Sequence, residues 1–146
     1  MTEMADAERY LLLRAGDAFC ALPLQQVRRV VRALTIHALP GAAPELLGLA
    51  EFAGEPLPVL DLGMLLGEAS SAAAGSQVAG VTVVARIGDS EPPEIAGLAA
   101  DEALEISALE MTRGTGASGR HGMVVGEALA GERHVTVLDL AAWKAA

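Results

Sequence analysis

With 146 residues the chain has room for one domain, or for two small units sharing a core, and a chain of that length buries roughly two-thirds of its unfolded surface. A content of 52% hydrophobic and 20% charged residues excludes an intrinsically disordered chain. The formal charge of −9, from 19 acidic and 10 basic side chains, argues against a polyanionic partner such as nucleic acid.

The first residues carry Glu3, Asp6 and Glu8, not a basic stretch followed by an apolar run. No apolar stretch reaches the roughly 18 residues that a bilayer crossing needs, so the expected address is the cytoplasm, without membrane insertion. Cys20 is the single cysteine; no internal disulfide can form, and a small buried apolar role is expected of it.

In chain order, residues 9–14 and 19–24 are apolar runs around the turn residues Gly16 and Asp17, a hairpin pattern. A helical turn at 23–26 leads into 27–36, where β-branched residues predict a strand. Within it Arg28, Arg29 and Arg32 would alternate between faces, as on a solvated edge that resists wrong pairing. Pro40, Gly41 and Pro44 predict a loop. A second hairpin follows, 46–52 and 57–62, around Gly54-Glu55-Pro56.

Residues 68–77 are Ala, Ser and Gly with little bulk to bury, the composition of a linker. Valine-rich 78–87, a polar turn with Pro92 and Pro93, and apolar 95–100 predict a third hairpin. The period of 101–111 admits strand or helix, and 113–122 reads as a glycine-rich loop. A last hairpin, 123–129 and 134–140, surrounds Gly131-Glu132, and 141–146 closes with a short helix.

Candidate chemistry is sparse. Residues 114–119 satisfy G-x-G-x-x-G, but a nucleotide site needs that loop to leave a strand and open a helix, and a β-like run follows it instead. A small-molecule or nucleotide site there is the competing reading, against a plain surface loop. His37, His121 and His134 are far apart in sequence and lack metal-ligand spacing, and no serine lies in a G-x-S-x-G elbow. No catalytic residue, cofactor or metal is therefore assigned. Val-Leu-Asp-Leu occurs at 59–62 and again at 137–140, each after a Gly-Glu turn. The identical settings give Asp61 and Asp139 the same structural task, bonding a following amide at a strand end, in preference to a catalytic pair.

Several residues carry a family likeness: Val27, Val30, Val31, Ile36, Leu39-Pro40, Pro44, Leu47-Gly48-Leu49, Gly54, the run 58–62 and Leu66-Gly67, continued by 95–101 and 135–140. This pattern, most specific over 39–67, resembles the bacterial chemotaxis coupling protein family CheW and the matching regulatory domain of its histidine kinase. The resemblance implies an all-β fold of two five-stranded SH3-like barrels with a hydrophobic groove between them and a short C-terminal helix. The units fall near 9–67 and 78–146 by sequence, and strands can exchange between them. It implies a non-enzymatic adaptor joining a chemoreceptor's cytoplasmic helical tip to a CheA-like histidine kinase. Mapped onto this sequence, the implied partner contacts are Val27, Val30, Gly48, Phe52, Ala53, Gly54, Val83 and Leu98.

The chain departs from the family at Glu51-Phe52-Ala53-Gly54, where Asn-Leu-Arg-Gly is usual, and at Gly63, where an arginine often follows Asp-Leu. An arginine can pair with acidic groups on a partner helix and an alanine cannot. An accessory adaptor that binds the receptor but not the kinase is the alternative this departure admits.

Overall fold

The structure, a computed structural model, describes residues 8–32, 34–67, 80–118 and 122–143, with backbone alone at 113–118. The first strands are β1 (Arg9–Ala15), β2 (Ala18–Pro23), β3 (Val27–Arg32), β4 (Leu46–Phe52) and β5 (Glu55–Asp61), followed by the one-turn helix α1 (Leu62–Leu65). Then come β6 (Val81–Ile87), β7 (Glu94–Ala100), β8 (Glu102–Ala108), β9 (Met111–Ser118), β10 (Val124–Ala130) and β11 (Arg133–Leu138). Short 3-10 turns sit at Leu24–Gln26 and Leu140–Ala142; of the closing helix expected at 141–146, residues 144–146 lie outside the described residues. The expected linker at 68–77 lies outside the described residues.

Two sheets result. Sheet one runs β8-β1-β2-β11-β10-β9 and sheet two runs β3-β6-β7-β5-β4. Most neighbours are antiparallel; β2 with β11 and β5 with β7 are parallel pairs that join distant parts of the chain. Sheet two is built entirely from residues 27–100, whereas sheet one takes its first hairpin from the beginning and β8 to β11 from the end. The sheets therefore cut across the sequence division at 68–77: β6 and β7 join β3 to β5, and β1 and β2 join β8 and β11.

The continuous apolar runs follow from burial on both faces of the strands. Alternate residues Leu11, Leu13, Cys20, Leu22, Val83, Ala85, Ala96 and Leu98 meet between the two sheets in one central core. The residues between them face away from it. Tyr10, Leu12, Ala21, Val135 and Val137 form a core inside sheet one, and Leu57, Val59, Val84 and Ala99 form another inside sheet two. All five strands of sheet two contribute to that second cluster, so the sheet curls around it. The curl brings the Arg29 guanidinium of edge strand β3 to 5.8 Å from the Phe52 ring of edge strand β4. Neither sheet closes through its hydrogen-bond ladder, and sheet one has six strands rather than five, so the described residues form two curled open sheets.

Of the two readings that 101–111 admitted, residues 102–108 take the strand, because β8 pairs along β1 from Arg9↔Ala108 to Arg14↔Glu102. The glycine-rich segment is not a loop as far as Ser118: β9 pairs with β10, with Gly114 opposite Gly126. Extended ladder replaces the strand-to-helix turn that pyrophosphate binding requires, which removes the basis for a nucleotide site at 114–118; Gly119 lies outside the described residues.

Candidate partner-binding surface

The β4–β5 hairpin is closed by Ala53 and Gly54, with φ of 53° and 80°. Positive φ at both central positions is the two-residue hairpin geometry that matches the strand twist. Gly54 adopts it freely, but Ala53 places a Cβ in the left-handed region. Glu51, Ala53, Gly54 and Glu55 are exposed there, while Phe52 is half-buried on the sheet-two core under Arg29.

Gly48 lies one strand-length away, and its constraint comes from the chain itself. His37 and Leu49 exchange backbone hydrogen bonds of 2.8 and 2.9 Å, laying residue 37 across β4. At Gly48, φ is +151° and a Cβ would fall on the His37 carbonyl oxygen. The close backbone approach that a glycine permits is used internally here, and Gly48 is buried.

Between the sheets opens a groove of about 370 Å³, lined by Val30 and Arg32 of β3, Gly80 and Val81 beside β6, and Asp101, Glu102 and Ala103 where the chain passes into β8. Val30 is an apolar side chain that is 40% exposed at this opening. Arg14 fixes the acidic lip: its Nη1 lies 3.5 Å from Asp101 Oδ2 and its Nε 3.1 Å from Glu102 Oε1. The Asp101 carboxylate also accepts the Gly16 amide at 2.7 Å, which ties the crossing between sheets to the β1–β2 turn.

The opposite end of the seam is clasped by polar groups. Gln26 Nε2 donates to Asp139 Oδ1 at 2.7 Å, and the Leu140 amide donates to Gln26 Oε1 at 2.8 Å. Asp139 Oδ1 also accepts from the Ala141 amide, and Asp61 Oδ1 accepts from the Gly63 amide, each at 3.0 Å. Both aspartates thus hold the chain at a strand end. Gln26 carried no sequence signal, because its partners lie more than a hundred residues away.

The described residues hold no group of three or more His, Cys, Asp or Glu side chains able to bind a metal. Burial pushes the Cys20 thiol up to about 12, so it is not a nucleophile at neutral pH. Among the described residues no helix is long and apolar enough to cross a membrane.

The family model described as CheW-like domain matches residues 9–144. The chain belongs to the CheW-like domain family. A CheW-like chain is a chemotaxis adaptor, acting in signal transduction through protein–protein contact. The crystal structure of the scaffolding protein TtCheW from Thermoanaerobacter tengcongensis has the same fold: TM-score 0.71 at 17% identity, over 90% of this chain and 88% of that one. A comparison with curated proteins found no match.

The CheW-derived contact positions separate into three places. Val30 lines the groove. Phe52, Ala53 and Gly54 form the hairpin tip of sheet two, and Val27 is half-buried against the central core. Val83 and Leu98 are 0% exposed and opposed in register across β6 and β7, so they pack the two sheets together and present nothing to a partner. Alternation along β6 and β7 assigns them inward, and Gly48 is likewise internal. Sequence reasoning did not find Arg32, Ala103 and the Asp101-Glu102 pair, which line the groove through the chain crossing at 100–102.

Proposed function

We propose that this CheW-like chain is a non-enzymatic cytoplasmic adaptor that couples the helical tip of a chemoreceptor to a CheA-like histidine kinase. Family membership over residues 9–144 carries the reading. The curled sheets are its two SH3-like units, and the groove between them, with Val30 exposed at its opening, is the receptor-docking surface. The apolar side of a receptor helix gains by covering Val30 and Val81, while Arg32 and the Asp101-Glu102 lip set its orientation. The hairpin tip is the second contact, and the kinase arm depends on it.

An accessory adaptor that binds receptor alone is favoured by one observation. The tip exposes Glu51 and Glu55 around Ala53 and carries no cation of its own. An acidic partner site is repelled there.

The test is a pull-down of the purified, folded chain with a receptor cytoplasmic fragment and, separately, with the kinase. Receptor capture that weakens at least about tenfold in Val30→Glu is expected, since a desolvated carboxylate in the groove costs well over about 1.4 kcal/mol. Capture of receptor but not kinase selects the accessory reading, and Ala53→Arg then restores kinase capture if charge at that site is the defect. Binding to neither overturns both readings.

A further inference from the structure

The β4–β5 hairpin has no cation in its own sequence, yet one stands against it. β3 and β4 are the two edges of sheet two and share no ladder hydrogen bonds, so only the curl of the sheet brings them together. Across that gap Arg29 places its guanidinium over the Phe52 ring, 5.8 Å from its centre and one residue before the Ala53-Gly54 turn. Register fixes the side. Arg29 is opposite Val84, a residue of the sheet-two core, so its side chain leaves β3 on the core face. The next residue, Val30, is opposite Val83 and points the other way, into the groove. Arg29 therefore belongs to the hairpin tip and not to the groove.

Arg29 is suited to hold an anion. It is exposed and, unlike Arg14 and Arg86, has no ion-pair partner among the described residues. A guanidinium over an aromatic ring keeps its N–H fork available to a carboxylate. The ring also restrains the side chain beforehand, so less rotamer freedom is lost when the anion arrives. Of the two exposed acids at the tip, Glu51 precedes Phe52 and points to the opposite face. Glu55 is opposite Phe52 in register and shares its face, but makes no ion pair with Arg29. Arg28 is exposed beside Arg29, so two cations stand against that one acid in a chain whose formal charge is −9.

We propose that Arg29, seated on Phe52, is the cation through which the hairpin tip recognises a carboxylate on the histidine kinase. The proposal rests on the adaptor reading, in which the tip is the kinase contact, and it selects the full coupler over the accessory form. Charge that Ala53 does not supply from within the hairpin reaches the same place from β3. The Phe52 ring sets where the guanidinium stands, and the guanidinium sets what the tip accepts. A partner helix or loop that presents an acid to the Phe52 face is attracted, and one that presents it to the Glu51 face is repelled.

The test measures kinase binding and receptor binding side by side on the purified full chain. Arg29→Met keeps an unbranched apolar side chain on Phe52 and removes the charge, so circular dichroism and melting should match wild type. It is expected to raise the dissociation constant for the kinase at least about tenfold and to leave that for the receptor fragment within about twofold. Wild-type kinase binding should weaken as salt rises from about 0.05 to about 0.5 M, and that of Arg29→Met should respond much less. A purely structural role for Arg29 would leave the two salt responses alike. A wild type that binds receptor but not kinase overturns the proposal and leaves the adaptor reading standing in its accessory form. So does an Arg29→Met chain that binds kinase as tightly as wild type, or one that loses receptor and kinase alike. Wild type binding neither partner removes the adaptor reading, and the proposal with it.

Discussion

The tetrapeptide Val-Leu-Asp-Leu occurs at 59–62 and at 137–140, and its two copies build the same turn in different surroundings. Each leaves a strand that pairs in parallel with a distant one, and each aspartate accepts the amide two residues on at 3.0 Å. The first copy is sealed: Asp61 is 2% exposed, caps α1, and its own amide donates to the Glu45 carbonyl at 2.7 Å. The second is half-exposed and fastened from outside, by the Gln26 carboxamide across the seam. The repeated letters specify the local turn, and what surrounds the turn decides how much stability depends on it.

Truncating each copy separates those contributions. Asp61→Ala leaves the Gly63 amide unpaired in a buried site, and a loss of about 3 kcal/mol is expected from urea unfolding, close to the upper end for a lost cap plus an unmet donor. Asp139→Ala should cost less, about 1–2 kcal/mol, because water reaches the freed groups. Equal losses would mean that burial does not distinguish the two turns. Gln26→Ala should cost about 1 kcal/mol, and the double substitution with Asp139→Ala should fall short of the sum, since the two share a hydrogen bond. Strict additivity would show that the clasp contributes nothing as a unit.

Much of the strand pattern was legible in the sequence. Hairpins at Gly16, Gly54, Gly88 and Gly131 announce themselves because each of these glycines adopts a positive φ that few side chains tolerate. The inward fate of Val83 and Leu98 is also implied by alternation, but only once both faces of β6 and β7 are known to be covered. What stayed hidden was set by contacts between remote segments. Residues 101–111 have no clean period because β8 is an edge strand, with Leu104 packed on a core and Ile106 in solvent. Gly48 looks like a partner-facing glycine until residue 37 is seen lying across it. The groove lining depends on a crossing between sheets that no local pattern encodes.

Sheet two is a contiguous stretch of chain inserted into sheet one, whose first hairpin precedes it and whose remaining strands follow it. During synthesis, β3 to β7 can pair as soon as they emerge from the ribosome, while β1 and β2 must wait for β8 and β11 with the face of Tyr10, Leu12 and Ala21 uncovered. Translation cut short before β8 would therefore leave a product whose first hairpin keeps one apolar face bare at its amino end.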